Sequence, residues 1–145
     1  MYLVDTDVIS ASAPGRGRVS PALVRWMDEN SDGIFLSSIT IAEIEDGITK
    51  VRRQGARRKA DQLRGWLETL LHLYQERVLP FDVPAARIAG RLSDRARAKG
   101  LSPGFADLAI AATAVAHGLS VLTRNVRHFA PLEVGAHDPF ESLPE

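Results

Sequence analysis

The sequence predicts an α/β protein with a mainly parallel sheet of four or five strands. Two observations support this prediction. Short apolar segments of three to five residues recur along the chain, and longer segments with helical spacing separate most of them. Alternation of strands and helices is typical of βαβ units, whose parallel sheets are covered by helices on both faces. The length of 145 residues fits a single domain spanning residues 1–145.

The predicted strands are short and rich in apolar residues. They are Tyr2–Val4, Ile34–Leu36, Arg77–Phe81, Leu119–Leu122 and, as a fifth candidate, Leu132–Val134. The predicted helices lie between them. They are a short helix through Val8–Ile9 with Thr6 or Asp7 as its cap, then 21–30, 40–53, 56–74 and 84–99, and an alanine-rich helix opened by Ser102-Pro103 and closed by Gly118.

Composition excludes several classes of protein. The chain has no cysteine, which excludes disulfides, thiolate zinc sites and a cysteine nucleophile, and fits a cytoplasmic location. Its longest apolar stretch, Leu108–Ala116, has nine residues, whereas a membrane span needs roughly 18. The N-terminus shows no secretory signal. The net charge of zero argues against binding to nucleic acid by bulk electrostatics.

Three carboxylates are predicted to meet at one edge of the sheet. Asp5 follows the first strand, Glu43 is in the first turn of the helix after the second strand, and Asp107 is early in the alanine-rich helix. Ligands of parallel sheets bind beyond the carboxyl ends of the strands. Asp107 shares its helical stripe with small and apolar residues, and it has no lysine or arginine three or four positions away. Such a group needs compensation, which a divalent cation provides.

Glu43, Asp107 and the neighbouring Asp7 also have structural explanations. Thr40 and Glu43 fit a capping box, in which Glu43 would bond to the Thr40 amide. Asp107 lies close to a helix N-terminus, where the helix dipole stabilises an acid. Asp7 is interpreted as a cap rather than a ligand. Taken together, however, the carboxylates suit Mg²⁺ or Mn²⁺ and hydrolysis of a phosphodiester by metal-activated water.

Four segments, in this order along the chain, resemble PIN-domain proteins, specifically the VapC-type toxins of bacterial toxin–antitoxin pairs. They are Tyr2–Ser10 (YLVDTDVIS), Leu36–Ile44 (LSSITIAEI), Asp107–Ala114 (DLAIAATA) and Leu122–Phe129 (LTRNVRHF), with Arg77–Asp82 as a further landmark. The resemblance extends from residue 2 to about residue 140.

The resemblance implies a three-layer α/β/α sandwich and a Mg²⁺- or Mn²⁺-dependent endoribonuclease. It matches Asp5, Glu43 and Asp107 to the metal-holding acids and Thr123 to a hydroxyl position near the site. It also implies a homodimer, or a hetero-oligomer with a cognate antitoxin whose tail packs over the toxin.

Two positions depart from the pattern of the family. Asp7 stands where the family often has Asn, which adds a carboxylate near the metal. The fourth segment lacks the acid that many members carry at the position of Asn125 or of His128. Asn125 can still bind Mg²⁺ through its carbonyl oxygen or through water, and His128 is interpreted as a surface or packed histidine. We therefore expect one metal ion.

Partner surfaces are predicted in the middle of the chain. Five basic residues around Gly55 are candidates for contact with the RNA backbone or for a solvated helix face: Arg52, Arg53, Arg57, Arg58 and Lys59. The helical segment at about 40–74 is predicted, partly from the resemblance to the family, to be a partner-binding arm. Its apolar stripe from Leu63 to Tyr74 fits either the core or an antitoxin groove.

Two other functions compete with the nuclease. Asp5-Thr6-Asp7 after a strand resembles the DxD motif of phosphatases with an aspartate nucleophile, although no lysine stands at a strand end. The domain could also be a catalytically weak or inactive partner-binding module. Metal binding separates this last alternative from the nuclease, because an inactive module has no need of three uncompensated carboxylates.

Overall fold

The computed structural model describes all residues from Met1 to Glu145. The strands are β1 (Tyr2–Val4), β2 (Ile34–Ser37), β3 (Val78–Leu79), β4 (Ser120–Leu122) and β5 (Ala136–His137). The helices are α1 (Thr6–Ile9), α2 (Pro21–Glu29), α3 (Ser38–Arg53), α4 (Arg57–Tyr74), α5 (Val83–Ala98), α6 (Phe105–His117) and α7 (Val126–Phe129). Single turns of 3₁₀ helix lie at Ser10–Ser12, Ser31–Gly33, Gln75–Arg77 and Ala130–Leu132.

The five strands form one sheet in the order β3-β2-β1-β4-β5, and every neighbouring pair is parallel. The prediction of a mainly parallel sheet is therefore confirmed. After β1 the chain first adds β2 and β3 on one side and then returns to add β4 on the other. Strand order thus reverses beside β1, which creates a crevice at the carboxyl ends of β1 and β4.

Alternate residues of the central strands point to opposite faces of the sheet and define two cores. Leu3 and Val121 belong to one core, with buried residues of α5, α6 and α7. Val4, Leu36 and Leu122 belong to the other, with buried residues of α1, α3 and α4. Helices therefore cover both faces, and the three-layer α/β/α architecture is confirmed.

Two strands differ from their predicted bounds. The fifth strand is Ala136–His137 rather than Leu132–Val134, because Leu132 ends a 3₁₀ turn and Glu133 has a left-handed conformation with φ of 58°. The third strand is limited to Val78–Leu79. It cannot extend through Pro80, which has no N–H to donate.

Three helix starts also differ from prediction. Asp5 caps α1, in place of Thr6 or Asp7, by accepting a hydrogen bond from the backbone N–H of Thr6. Ser37 caps α3, so Thr40 already lies inside the helix and the predicted capping box with Glu43 is wrong. The alanine-rich helix begins at Phe105 after Gly104, and not at Ser102-Pro103. Gly118 does close it, with φ of 65°.

The predicted partner-binding arm at 40–74 corresponds to α3 and α4. Their inner faces belong to the core, because Ile44 and Ile48 of α3 and Leu67 and Leu70 of α4 are buried. Their outer faces carry exposed basic residues, of which Arg52 forms an ion pair with Asp61. Partner binding by these helices remains a prediction. No helix is both long enough and apolar enough to cross a membrane.

Candidate active site

Asp5 and Thr123 form the base of the site at the switch point of the sheet. Asp5 follows β1 and Thr123 follows β4, and both are buried. The Thr123 hydroxyl donates to Asp5 Oδ2 at 2.8 Å, and the Thr6 backbone N–H donates to Asp5 Oδ1 at 2.8 Å. The predicted juxtaposition of these two residues is therefore observed, and hydrogen bonds fix both carboxylate oxygens of Asp5.

Asp7 and Asn125 form a second layer beside Asp5. Asp7 Oδ2 accepts from the backbone N–H of Arg124 at 3.0 Å and from Asn125 Nδ2 at 3.1 Å. Asp7 Oδ1 is buried and has no hydrogen-bond partner. The backbone N–H of Asn125 also donates to the Thr123 hydroxyl at 3.0 Å. Asn125 is therefore held by its backbone and side-chain nitrogen atoms, which leaves its side-chain oxygen free of hydrogen bonds within the protein.

Glu43 reaches the site from α3. Its Oε1 accepts a hydrogen bond of 2.6 Å from the Thr6 hydroxyl, which also lies 3.1 Å from the hydroxyl of buried Thr40. These contacts replace the predicted cap as the structural role of Glu43. They tie its carboxylate to Thr6, the residue between Asp5 and Asp7.

Asp107 reaches the site from the first turn of α6. Its Oδ2 lies 3.2 Å from Nδ1 of His128 on α7. The side chain of Asp107 is 30% exposed and that of His128 is 47% exposed. His128 is thus a surface residue, as predicted, but it also supplies the partner that the sequence around Asp107 lacks.

Burial and mutual repulsion disfavour the charge on the central carboxylates. Burial is the largest cause that raises the pKa of Asp5, from 3.8 to about 6, and the negative charges of Asp7 and Asp107 raise it further. The hydrogen bonds from Thr123 and Thr6 oppose this rise. Burial also raises the pKa of Asp7, against the hydrogen bond and charge of Arg124. The site therefore concentrates negative charge that a cation would relieve.

The four carboxylates line one cavity of about 700 Å³, together with three arginines and Phe140. The arginines are Arg16, Arg18 and Arg124. Asp5, Glu43 and Asp107 line the same cavity, as the sequence predicted, and Asp7 lies beside them, as the family resemblance implied. No signal in the sequence placed the arginines or Phe140 in the site.

The donor set fits a hard divalent cation. It consists of carboxylate oxygens, one of them buried without a partner on Asp7, and the carbonyl oxygen of Asn125. No three histidine, aspartate or glutamate side chains are arranged so that they could hold a metal ion by themselves. Mg²⁺ commonly uses only one or two protein carboxylates, with water and substrate phosphate as its other ligands. The assignment of Asp5, Glu43, Asp107 and Asn125 as metal ligands remains a prediction.

Known proteins resemble this chain over nearly its full length. Toxin FitB of Neisseria gonorrhoeae is 35% identical over 142 residues, which cover 97% of this chain and 99% of the relative. VapC ribonuclease Y4jK of Sinorhizobium fredii is 38% identical over 145 residues, which cover 97% of this chain and 99% of the relative.

Solved structures give the same result. The crystal structure of FitAcB from Neisseria gonorrhoeae matches with a TM-score of 0.85 and 35% identity, over 98% of this chain and 100% of the other. The structure of FitAB bound to IR36 DNA matches with a TM-score of 0.81 and 33% identity, over 100% of this chain and 99% of the other. The model of the PIN domain family matches residues 2–132. The chain therefore belongs to the PIN-domain family, and VapC-type toxins are among its relatives.

Proposed function

We propose that this protein is a Mg²⁺- or Mn²⁺-dependent endoribonuclease and the toxin of a toxin–antitoxin pair. The observation that carries the proposal is the convergence of Asp5, Asp7, Glu43 and Asp107 on one cavity at the switch point of the sheet. The names of two relatives, a toxin and a VapC ribonuclease, support the same function.

Asp5, Glu43, Asp107 and Asn125 would hold the metal ion, which when bound supplies an activated water and neutralises charge on the phosphodiester. The protein's own contribution is to position these ligands. Thr123 fixes the orientation of Asp5 through its hydrogen bond. Thr6 connects Asp5 to Glu43, because its backbone N–H contacts the first and its hydroxyl contacts the second.

His128 is a positioning residue for Asp107 in this scheme. A hydrogen bond from an imidazole fixes the rotamer of a carboxylate and leaves its other oxygen for a ligand. The Asp107–His128 contact leaves Asp107 Oδ1 without a recorded partner in the protein. The carboxylate can therefore serve the site while its side chain remains anchored to α7.

The competing phosphatase function lacks a key group in this structure. Phosphatases with an aspartate nucleophile need a lysine at the phosphate, and the cavity has no lysine among its lining residues. The nuclease proposal accounts for the carboxylates with fewer assumptions.

A second cavity of about 690 Å³ is the candidate site for the antitoxin. It shares Thr6, Arg16 and Glu43 with the first cavity, so a bound segment could continue into the active site. Apolar residues of α3 and α4 line it, with basic residues beside them. These are Ile44, Ile48, Leu63 and Trp66, and Lys50 and Lys59. An amphipathic segment with acidic residues fits this lining.

RNA cleavage tests the proposed activity. Wild-type protein and the variants Asp107→Asn and Asp94→Asn would be incubated with total bacterial RNA and Mg²⁺, Mn²⁺ or EDTA. We expect cleavage by the wild type with either metal, none with EDTA and none by Asp107→Asn. Asp94 is a matched control, because its side chain is 82% exposed on α5 and lies outside the cavity. Cleavage by Asp107→Asn at the wild-type rate would refute the assigned site.

Charge reversal tests the antitoxin site. Lys50→Glu and Lys59→Glu change exposed side chains and leave the apolar lining intact. We expect the double variant to bind its cognate antitoxin at least tenfold more weakly while its thermal unfolding is unchanged. Antitoxin affinity equal to that of the wild type would place the partner elsewhere.

A further inference from the structure

Arg124 has an unusual environment within the active-site cavity. Its guanidinium lies 3.9 Å from the centroid of the Phe140 ring. The cavity that it lines contains four carboxylates, yet Arg124 forms no ion pair and its side chain donates no hydrogen bond within the protein. A cation in this position has donors available for a ligand.

Backbone hydrogen bonds hold both Arg124 and Phe140 in place. The backbone N–H of Arg124 donates to Asp7 Oδ2, which anchors the start of the side chain beside the carboxylates. Phe140 packs against the core formed with α1, α3 and α4. Its turn is closed by a hydrogen bond from its own N–H to Asp138 Oδ1 at 2.9 Å. The ring is therefore a fixed platform for the guanidinium.

This arrangement favours a phosphate over a nucleobase as the ligand. Arg124 covers one side of the Phe140 ring and the core contacts the residue from within, so the ring is not free to stack on a base. A guanidinium stacked on a ring keeps its N–H groups in the guanidinium plane, where they match the oxygens of a phosphate in a bidentate contact. Arg16 and Arg18 also line the cavity but have no aromatic support.

Building on the proposed nuclease function, we propose that Arg124 is a substrate-binding residue that clamps the non-bridging oxygens of an RNA backbone phosphate at the active site, and that Phe140 is its positioning residue. Such a contact binds the RNA backbone and does not depend on the RNA sequence. It places a phosphate next to Asp7 and Asp5, where the proposed metal chemistry takes place. The clamp also offsets the repulsion between the RNA and the carboxylates before a metal binds.

Binding of RNA without metal tests the clamp. The probe is a fluorescein-labelled pool of random single-stranded RNA, measured by fluorescence polarisation in EDTA over a range of salt concentrations. For Arg124→Gln we expect about five- to tenfold weaker binding at 50 mM salt, and a slope of log K against log salt that is smaller by about 0.7, the value of one phosphate contact. Arg124→Lys should keep the slope, because it keeps the charge, and lose part of the affinity.

Two further variants separate the clamp from general effects. Phe140→Leu should weaken binding about two- to threefold with an unchanged salt slope, because the charge remains but its orientation is lost. Arg25→Gln removes an exposed arginine of α2 outside the cavity and should match the wild type. Thermal unfolding of each variant verifies that the fold is intact.

The outcomes distinguish this proposal from the one on which it rests. If the wild type binds the pool and cleaves it with Mg²⁺ or Mn²⁺, but Arg124→Gln and Arg25→Gln have equal affinity and slope, the clamp is refuted and the nuclease stands. If the wild type neither binds nor cleaves RNA, the proposed function itself fails and the clamp fails with it. A reduced slope confined to Arg124→Gln supports the clamp, and cleavage of the pool by the wild type with Mg²⁺ or Mn²⁺ supports the nuclease.

Discussion

Replacement of Asp5 by asparagine is expected to stabilise the metal-free protein at neutral pH. The pKa of Asp5 is raised to about 6 in the folded protein, from its ordinary value of 3.8. Between these two values the unfolded chain has released a proton that the folded protein retains. Raising the pH therefore favours unfolding, and the cost of holding the charged Asp5 is complete above pH 6.

The magnitude follows from the difference between the two pKa values, 3.8 and about 6. At about 1.36 kcal/mol per pKa unit, this difference corresponds to about 3 kcal/mol at pH 7.5. Asn caps a helix about as well as Asp, so the bond from Thr6 is kept. The weaker bond from Thr123 to a neutral group is already contained in this difference, because that bond is one of the causes that set the pKa. We therefore expect a gain of about 3 kcal/mol in the free energy of unfolding.

Urea unfolding at pH 7.5 and pH 4.0, with EDTA present and at one protein concentration, measures this gain. At pH 4.0 Asp5 is protonated in the folded wild type, so the advantage of Asp5→Asn should nearly vanish. Titrating groups distant from Asp5 act equally in wild type and variant and cancel in the difference, whereas the repulsion from Asp7 and Asp107 is part of the measured effect. Asp94→Asn, which changes an exposed carboxylate, should show no effect at either pH. A variant that is destabilised at both pH values, or stabilised equally at both, would refute the reasoning.

Three further substitutions have effects that urea unfolding can measure. Thr123→Val removes a buried donor to Asp5 and should destabilise by about 1–3 kcal/mol, more at pH 7.5 than at pH 4.0, because the lost bond favours the charged carboxylate. Arg77→Met should cost about 2–4 kcal/mol, because Arg77 donates to three backbone carbonyls and covers the Tyr74 ring; a loss below 1 kcal/mol would contradict this role. Gly118→Ala should cost about 1–2 kcal/mol, because its φ of 65° disfavours a side chain, whereas an unchanged stability would show that the α6 terminus relaxes freely.

The central strands were predictable because their signal is local. Tyr2–Val4 and Ile34–Leu36 are apolar runs that end at polar residues, and burial on both faces demands that pattern. The fifth strand was not predictable from its residues. Ala136–His137 is a strand only because it pairs with β4, and two residues carry no periodic signal of their own.

Helix starts were predicted less well than helix interiors. Several residues that can cap a helix stand next to each other in the sequence, as in Asp5-Thr6-Asp7 and Ser37-Ser38. Which of them becomes the cap depends on where the preceding strand ends. That point is set by pairing with the neighbouring strands, as for Ser37, which pairs with Leu79.

The part of the site that could be predicted consists of residues whose signal is local in the sequence. Asp5, Glu43 and Asp107 each follow from their own position relative to a strand or helix. The contacts of Asp7 with Arg124 and Asn125, and of Arg124 with Phe140, depend on how distant segments meet in space. His128 is a similar case, because its position beside Asp107 requires α6 and α7 to pack together.

Calorimetric titration with Mn²⁺ at pH 7.5 tests most directly the claim that these carboxylates form a metal-dependent catalytic centre. The titration would compare the wild type with Asp5→Asn, Asp107→Asn and the exposed control Asp94→Asn. The structure predicts binding by the wild type and Asp94→Asn, and affinity lowered at least tenfold in the two cavity variants. Mn²⁺ affinity in Asp5→Asn and Asp107→Asn equal to that of the wild type would contradict the claim.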